Sequence, residues 1–366
     1  MLINSDLPSY RPNCLYFRGD IPCRPHKLYG VHCENCEYFT PQCGIILIIK
    51  LGAAGDIIRT TPLLRRIETE YPGSPVWWLT YTPDVLPDTV KAFTPTAANF
   101  AILSAMNFAA VINLDKDLEA CAVAKQLNAT KFIGFTLLNG KPAPCDVRAK
   151  PKFIRGIFDD ISKQNTESYP QEIFSICGWN FAGEEYVLPT IQQEPVPGLN
   201  TSAHGLIVGL NTGCGERWTS RLWPDERWEE LILRIKDAGM TALLLGGEQE
   251  AARNRKLQAQ TGAIMAEPAS LRRFFGIMNN CHIVVTAVTM GLHIAIGLQK
   301  RVVLMNNIFN PNEFELYGRG EIARPSQECK CYYLPTCQNS EYWCMNHLSV
   351  DTVFAAVERQ ATALSV

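Results

Sequence analysis

Residues 45–62, IILIIKLGAAGDIIRTTP, join a short apolar run to a turn of small residues and then to a helical pattern. The apolar run is rich in β-branched side chains, which is typical of a buried parallel strand. The helical pattern extends over 56–71, and Pro62 predicts a helix start because proline fits the first turn of a helix. Glycine-containing loops between a strand and a helix commonly cradle phosphate, but this loop ends in an acid, Asp56. The stretch therefore predicts a strand–loop–helix unit that carries a carboxylate.

The composition is that of a globular protein with room for two domains. The chain has 366 residues, of which 47% are hydrophobic and 19% are charged, and an ordinary domain contains about 150 residues. A formal net charge of −2 provides no basic field, so no nucleic-acid partner is expected. The N-terminus lacks a signal-peptide pattern, and no apolar run approaches the ~20 residues of a membrane span. These features predict a cytoplasmic protein.

Strand and helix patterns alternate in two separate blocks. The first block begins at 45–50, and the second restarts at 206–213, LIVGLNTG, where another strand enters a glycine turn. Such alternation predicts right-handed βαβ crossovers and a parallel sheet in each block. The segment 190–205 between them is polar and contains proline, glycine and serine, as linkers do. The predicted units are a Cys-rich, metal-stapled extension (1–44), an N-terminal Rossmann-like acceptor domain (45–195), a C-terminal Rossmann-like nucleotide-sugar domain (196–349) and a C-terminal helix (350–366).

Two doubly wound domains that face a cleft form the usual frame of nucleotide-sugar transferases, with ligands at the carboxyl ends of the strands. A single large dehydrogenase of the Rossmann type is the alternative for the same elements. Neither strand–turn loop reads G-x-G-x-x-G, however, and no acid stands at the strand end where dinucleotide binding requires one. The sequence therefore favours an α/β fold with two facing Rossmann-like domains.

Four segments carry a resemblance to a known family. They are IIKLGAAGDIIRTTPLLRRIETEYP (48–72), GLNTGCGERWTSRLWPDERWEELI (209–232), LLLGGEQE (243–250) and VTMGLHIAIGL (288–298). In this order they resemble glycosyltransferase family 9, the bacterial ADP-heptose:lipopolysaccharide heptosyltransferases, among which are autotransporter heptosyltransferases. The resemblance extends over about residues 45–364 and implies the GT-B fold. It also implies an inverting sugar transfer that uses no catalytic metal.

The resemblance assigns the catalytic base to Asp56. An inverting transfer needs a base that deprotonates the acceptor hydroxyl, and positive charge or N–H dipoles that stabilise the departing diphosphate. From the residue type alone, the alternative is that Asp56 caps the helix that follows it. The residues expected beside the acceptor are the small ones that precede the aspartate: Gly52, Ala53, Ala54 and Gly55.

The resemblance also assigns a set of residues in the second block to the donor. Backbone N–H groups after the restarting strand are expected to bind pyrophosphate, and Arg221 adds a cation where the family usually has lysine. Arg221 could alternatively lie in a solvated loop, and Glu250 could be an ordinary helix-terminal acid, with Glu248 as its rival. A lone histidine such as His293 is more often a core residue. The expected donor-binding residues are Thr212, Gly213, Cys214, Arg221, Glu250, Thr289 and His293.

One position departs from the family. Val288 stands where the family usually has an aspartate that contacts sugar hydroxyls, and a valine side chain accepts no hydrogen bond.

Two loops are also expected to border the cleft. The loop 306–320 offers Asn306, Asn307 and Glu313 as contacts, with turn formation as the alternative role. The loop 136–170 contains several lysines and arginines, which permits an anionic lipid-linked acceptor.

Fourteen cysteines are many for a cytoplasmic protein, where clustered cysteines indicate metal more than disulfides. Cys14, Cys23, Cys33 and Cys36 are predicted to hold a structural zinc or iron, because an extension without a hydrophobic core needs a bound metal or a cross-link to stay folded. His26 and His32 are alternative ligands and Cys43 is a spare cysteine. A second site is predicted at Cys329, Cys331, Cys337 and Cys344, which resemble the cysteine-rich tails of family members with an iron site. One mixed site that draws on both clusters is the remaining alternative.

The resemblance implies a glycosyltransferase that uses a nucleotide-diphospho-sugar, with ADP-heptose as the expected donor. The expected acceptor is a lipopolysaccharide-type or other glycan, free or lipid-linked, with peripheral inner-membrane association as an accompanying possibility. A first alternative is a protein heptosyltransferase of the autotransporter type. A second alternative is a non-catalytic GT-B scaffold that binds a nucleotide or a partner, which the valine at position 288 keeps open.

Overall fold

The computed structural model describes residues 7–200 and 205–364. Its N-terminal half contains a six-stranded sheet in the order β3-β2-β1-β4-β5-β6. Strands β1 to β5 are parallel, and β6 pairs with β5 in the antiparallel sense. The strands are β1 (Ile46–Ile49), β2 (Val76–Leu79), β3 (Lys91–Phe93), β4 (Asn107–Asn113), β5 (Asn128–Leu138) and β6 (Lys141–Pro144).

The C-terminal half contains a second six-stranded sheet in the order β12-β11-β10-β7-β8-β9. All its neighbouring strands are parallel. The strands are β7 (Ile207–Asn211), β8 (Thr241–Leu245), β9 (Ile264–Met265), β10 (Ile283–Ala287), β11 (Arg301–Met305) and β12 (Gly320–Ala323). Both sheets start in the middle, at β1 and β7, and continue outward on each side, as doubly wound sheets do. The predicted α/β class with two Rossmann-like sheets is confirmed.

Helices cover the sheets and connect their strands. In the N-terminal half they are α1 (Arg24–Tyr29), α2 (Ala54–Ile58), α3 (Pro62–Glu70), α4 (Ala97–Ser104), α5 (Leu118–Gln126), α6 (Lys150–Arg155), α7 (Asp159–Lys163) and α8 (Tyr169–Cys177). In the C-terminal half they are α9 (Asp225–Asp237), α10 (Glu248–Thr261), α11 (Leu271–Met278), α12 (Met290–Gly297) and α13 (Val350–Thr362). No helix among the described residues is long and apolar enough to cross a membrane.

The helix expected over 56–71 is divided into α2 and α3. Helix α2 ends at Ile58, and α3 begins at Pro62, where proline was expected to start a helix. The Thr61 hydroxyl donates to the Ile58 carbonyl over 2.7 Å, and the Thr60 hydroxyl donates to the Asp56 carbonyl over 2.7 Å. The first bond reaches the Ile58 carbonyl, which Pro62 cannot pair because it has no N–H, and the second reaches a carbonyl in the last turn of α2.

The segment between α8 and β7 has no regular secondary structure in its described part, although Tyr186 and Val196 are buried in the core. The predicted linker 190–205 belongs to this segment, and its residues 201–204 lie outside the described residues. Helix α13 packs against α9 and β11, so it covers the C-terminal sheet. The exact domain boundaries stay predictions.

A buried ion pair holds the loop that follows β1. Lys50 and Asp115, at the ends of the neighbouring strands β1 and β4, are both less than a tenth exposed and form a salt bridge. The Asp115 carboxylate also accepts the backbone N–H groups of Leu51 and Gly52, the latter over 3.1 Å. Burial disfavours the charge on Lys50, but Tyr169 and Asp115 outweigh that effect, and the pKa of the lysine lies above its usual range. One carboxylate therefore fixes both the lysine and the start of the loop.

The Lys50→Met substitution would leave the Asp115 carboxylate buried without its cation. We expect this change to lower the free energy of unfolding by about 3–5 kcal/mol, as breaking a buried pair does. Urea unfolding followed by circular dichroism measures the change, with Lys131→Met on the exposed part of β5 as the matched control. Equal stability of the two variants would contradict this account of the loop.

Candidate functional site

A cleft of about 640 Å³ lies between the two halves of the protein. From the N-terminal half it is lined by residues 53–56, which follow β1. From the C-terminal half it is lined by the loops that follow β7, β8, β10 and β11. All these loops stand at the carboxyl ends of parallel strands, the edge at which doubly wound folds bind their ligands. The cleft is therefore the candidate site.

Asp56 lies in the first turn of α2 and lines the cleft, with 35% of its side chain exposed. The carboxylate forms a salt bridge of 2.8 Å with Arg59, and no side-chain hydrogen bond caps α2. The structure therefore gives no support to the alternative role as a helix cap. Burial raises the pKa of Asp56, but the charges of Arg59 and Lys50 outweigh it and lower that pKa to about 2. Asp56 is consequently ionised throughout the neutral pH range.

Arg59 joins the two halves of the protein. Its guanidinium contacts Asp56 on its own helix and donates to Glu313 of the C-terminal half over 2.6 Å. The guanidinium also stacks 3.9 Å from the ring centre of Tyr169, and Glu313 accepts a hydrogen bond of 2.7 Å from Tyr333. Burial opposes both charges, but the pair raises the pKa of Arg59 and lowers that of Glu313. The arginine is thus shared by two carboxylates across the cleft.

The close approach of α2 to α12 depends on a glycine. A Cβ atom at Gly55 would stand 2.8 Å from His293 Cδ2 and 3.3 Å from Met290 Cα, so any larger residue would push the two halves apart. His293 is buried, and its Nδ1 lies 3.5 Å from the Tyr186 hydroxyl. Burial and then the charge of Arg59 lower the pKa of His293 to about 3. The imidazole is therefore neutral at the wall of the cleft and acts as a hydrogen-bonding group without charge.

The loop after β7 brings a compact backbone to the cleft. Gly213 and Cys214 line the cleft as expected, whereas the Thr212 hydroxyl donates to Asn254 Oδ1 over 2.6 Å and is buried there. A Cβ atom at Gly213 would stand 2.0 Å from Glu250 Oε1, so a larger residue there would displace the Glu250 side chain. Burial raises the pKa of the Cys214 thiol. The loop offers the cleft backbone groups and a neutral thiol.

Arg221 is a buried cation without a carboxylate partner among the described residues. One of its Nη atoms donates to the Cys214 carbonyl over 3.2 Å, and its Nε has no hydrogen-bond partner. Burial lowers the pKa of Arg221 to about 10, which still leaves it charged at neutral pH. Trp218 and Phe309 lie 5.2 and 5.6 Å from the guanidinium, so the alternative of a solvated loop residue does not describe it. A buried, unneutralised cation at a cleft is arranged to receive an anion.

Other residues expected to contact the donor have structural partners as well. Glu250 Oε2 accepts the Gly247 N–H over 2.9 Å at the start of α10, which is the role of a helix-terminal acid, while its side chain also lines the cleft. The Thr289 hydroxyl accepts from Asn211 over 3.0 Å at the start of α12. The wall near Thr289 is apolar and consists of Ala269, Leu271, Phe274, Val288 and Met290.

The other residues expected to border the cleft form two groups, those that line it and those that bond to the protein itself. Ala53, Ala54 and Gly55 line the cleft, whereas the Gly52 N–H is used by Asp115. Asn306 stabilises its own loop through a bond of 2.9 Å to the Phe309 carbonyl, which is the turn role, whereas Asn307 donates over 2.9 Å to the Ser220 carbonyl in the segment after β7. The sequence analysis assigned no role in the cleft to six of its lining residues, which are Arg59, Asn211, Trp218, Gln249, Phe309 and Tyr333. The spacing of Arg59 three residues after Asp56 on a helix was the available signal for one of them.

All the cysteines of the described residues are free thiols. In the C-terminal set, the sulfur atoms of Cys331 and Cys337 are 3.8 Å apart, and Cys329 Sγ accepts the Cys331 N–H over 3.3 Å. Cys344 Sγ accepts a hydrogen bond of 3.2 Å from Asn307, beside the cleft loop. Within residues 7–200 and 205–364, no three cysteine, histidine or acidic side chains are gathered closely enough to hold a metal ion. The metal sites stay predictions.

Comparisons with known proteins agree with this architecture. The family model for glycosyltransferase family 9 (heptosyltransferase) matches residues 207–332. Comparison with curated proteins by sequence finds no match. Among solved structures, a family 9 glycosyltransferase from Veillonella parvula DSM 2008 superposes with a TM-score of 0.64 at 15% identity, over 88% of this chain and 98% of that one.

Two further structures share the fold. The E. coli heptosyltransferase WaaC, solved with ADP, has a TM-score of 0.57 at 16% identity, over 87% of this chain and 98% of that one. The iron-containing dodecameric glycosyltransferase TibC from enterotoxigenic E. coli has a TM-score of 0.53 at 12% identity, over 88% and 77% of the two chains. The predicted GT-B fold is confirmed by these superpositions. The family match covers residues 207–332 and shows that the C-terminal half is similar to glycosyltransferase family 9 (heptosyltransferase).

Proposed function

We propose that the protein transfers a sugar from a nucleotide-diphospho-sugar to a glycan acceptor with inversion, and that the sugar is heptose from ADP-heptose. The observation that carries this proposal is the buried, unpaired guanidinium of Arg221 beside the Gly213–Cys214 backbone, across the cleft from an ionised Asp56. An anion site and a carboxylate on opposite walls are the two charges that a displacement at a sugar carbon requires.

In the proposed reaction, Asp56 accepts the proton of the acceptor hydroxyl as its oxygen forms the bond to the anomeric carbon. The bond between that carbon and the phosphate oxygen breaks, and its electron pair leaves with the nucleoside diphosphate. Arg221 and the amides of the 213–215 loop stabilise the negative charge that develops on the diphosphate. His293 is neutral because its pKa is about 3, so it serves as a hydrogen-bonding group. No step requires a metal ion.

The low pKa of Asp56 gives Arg59 a second role in this proposal. In the structure the carboxylate is paired with Arg59, which weakens it as a base. Glu313 competes for the same guanidinium over 2.6 Å. A shift of Arg59 toward Glu313 when the acceptor enters would raise the basicity of Asp56 at the moment of transfer. In this proposal the two carboxylates make the basicity of Asp56 depend on the position of the Arg59 guanidinium.

The ligands of similar structures support the choice of donor. WaaC was solved with ADP and with ADP-2-deoxy-2-fluoro heptose, and TibC was solved with ADP-D-β-D-heptose. The apolar wall formed by Leu271 and Phe274 suits a nucleobase, which binds through its flat faces. At Val288 the sugar would have an apolar neighbour, so its hydroxyl groups would rely on other partners.

Next to the loop that follows β1, a second unpaired cation favours an anionic glycan. Lys116 follows Asp115, whose carboxylate holds that loop, and no carboxylate forms a salt bridge with Lys116 among the described residues. Burial and the nearby charge of Lys152 lower the pKa of Lys116 to about 8. Lys152 pairs with Glu172, and Arg155 pairs with Glu167 and Glu172. A phosphorylated or carboxylated acceptor, such as a lipopolysaccharide core, would neutralise Lys116, whereas an uncharged protein acceptor would not.

We also propose that Cys329, Cys331, Cys337 and Cys344 hold a structural zinc or iron ion. The 3.8 Å contact between the sulfur atoms of Cys331 and Cys337 fits thiolates that share one metal. The site would fix the loop that carries Tyr333 to the cleft. This metal would stabilise the fold and take no part in the transfer.

A cytoplasmic location, with any membrane contact peripheral, remains part of the proposal.

The Asp56→Asn substitution keeps the size of the side chain and removes its basicity. We expect it to slow transfer by about 10²- to 10⁴-fold, the usual contribution of a general base. The assay is ADP release from ADP-heptose in the presence of a heptose-deficient lipopolysaccharide core, and Asp237→Asn on the outer end of α9 is the control. Full activity of Asp56→Asn would exclude the base. A wild type that binds ADP-heptose without turnover would favour the scaffold alternative.

The Arg221→Met substitution replaces the buried cation by an apolar chain of similar length. We expect it to weaken ADP binding by about 10- to 100-fold, because a charge-assisted contact to the diphosphate is lost. Isothermal titration calorimetry measures the affinity, and Arg217→Met, an exposed arginine on the same loop, is the matched control. If both variants bind ADP as the wild type does, the diphosphate site lies elsewhere.

A further inference from the structure

The side-chain amide of Asn211 is fixed on the C-terminal wall of the cleft. Asn211 is the last residue of β7, and it lines the cleft although only 8% of the residue is exposed. Its Nδ2 atom donates to the Thr286 hydroxyl over 2.9 Å and to the Thr289 hydroxyl over 3.0 Å. Thr286 lies on the neighbouring strand β10, and Thr289 lies in the turn between β10 and α12. The turn that contains Val288 therefore holds the amide in place.

The hydroxyl groups around the amide decide which of its atoms faces the cleft. The Thr286 hydroxyl donates to the Ala287 carbonyl over 2.9 Å and lies 3.1 Å from the Thr289 hydroxyl. With Nδ2 toward the threonines, two amide protons and two hydroxyl protons serve the four short contacts of this group. A flipped amide would leave two hydroxyl protons for the same contacts, so acceptor atoms would face each other without a proton. The atom that remains for the cleft is the carbonyl oxygen Oδ1.

The Oδ1 atom of Asn211 is open to the cleft. Within residues 7–200 and 205–364, no hydrogen bond is donated to it, and it is not among the water-excluded polar atoms without a partner. Both protons of Nδ2 are used by the threonines, so the side chain cannot act as a donor toward the cleft. An amide oxygen held in this way pairs with ligand groups that donate a hydrogen bond.

Asn211 lies between the proposed diphosphate loop, which starts directly after it, and the loop that carries Asp56. Its partner Thr289 precedes Met290, whose Cα would stand 3.3 Å from a Cβ atom at Gly55. Gly55 is the residue before Asp56, so the amide is on the side of the cleft that approaches the base. In the proposed reaction the donor sugar joins the diphosphate to this side, and the nucleoside extends away from it.

We propose that Asn211 Oδ1 accepts a hydrogen bond from a hydroxyl group of the donor sugar and thereby contributes to selection of the sugar. This role rests on the proposed function and adds a specificity-determining residue to the same site. The neighbouring wall is apolar and includes Val288, which offers no acceptor. A sugar hydroxyl that enters there loses its water, and without an acceptor it would stay unpaired. Thr286 is a positioning residue in this proposal, because its hydroxyl fixes the orientation of the amide.

The test compares the affinities for ADP and for ADP-heptose, each measured by isothermal titration calorimetry without an acceptor. We expect Asn211→Leu to bind ADP as the wild type does and to bind ADP-heptose about 10-fold more weakly, because a sugar hydroxyl is left unpaired. Retained ADP affinity also shows that the variant is folded. Arg221→Met should instead weaken both ligands by the same factor.

The matched control is Asn306→Leu. Asn306 is also a buried asparagine at the end of a strand of the same sheet, but it does not line the cleft. We expect the ratio of the two affinities to be the same in this variant as in the wild type.

The outcomes separate the role of Asn211 from the transfer reaction itself. Wild-type affinity of Asn211→Leu for ADP-heptose would overturn this role, and so would a loss of ADP and ADP-heptose by the same factor in a folded variant. Neither result would affect the proposed transfer. A wild type that does not bind ADP-heptose would overturn both proposals.

A second measurement uses the wild type alone and covers a variant that does not fold. The side-chain NH₂ resonances of Asn211 are followed by ¹H–¹⁵N NMR during titration with each ligand. A hydroxyl bonded to Oδ1 polarises the amide, so ADP-heptose should shift these resonances, whereas saturating ADP should leave them close to their free positions. Equal shifts with the two ligands, or none with ADP-heptose at saturation, would overturn the role of Asn211.

Discussion

The cleft of this protein depends on one guanidinium that is shared by two carboxylates. Arg59 pairs with Asp56 in the N-terminal half and with Glu313 in the C-terminal half, over 2.8 and 2.6 Å. The side chains of Arg59 and Glu313 are largely removed from water, where an unpaired charge would be costly, and Asp56 is partly exposed to the cleft. The two sheets are thus held in a fixed relation by a network that includes the proposed base. Glycine at position 55 allows the approach, because a side chain there would meet His293.

The two arginines of the cleft differ in whether they are neutralised. Arg59 has two anionic partners, and its pKa is raised, whereas burial of Arg221 without such a partner lowers its pKa to about 10. The charge of Arg59 is therefore balanced within the protein, whereas Arg221 has no carboxylate partner among the described residues. In the proposed function, this asymmetry places the diphosphate on the side of Arg221 and the acceptor on the side of Asp56.

The sequence was informative about elements with strong internal patterns. The central strands were predictable because fully buried parallel strands are continuous apolar runs, as at 45–50. The edge strands β3, β6, β9 and β12 were missed, since they have four residues or fewer and little apolar pattern. Within the site, Asp56 and Arg221 were found through motifs. The link between Arg59 and Glu313 joins residues 254 positions apart, and no local pattern reports such a contact.

The central claim is that the loop after β1 serves the acceptor and the loop after β7 holds the diphosphate. A crystal structure of the protein with ADP tests it most directly. The account predicts diphosphate oxygens within hydrogen-bond distance of Arg221 and of the amides at 213–215, with the Asp56 carboxylate facing the vacant sugar position across the cleft. A diphosphate seated on the Gly52–Gly55 loop instead, with Arg221 uninvolved, would contradict it.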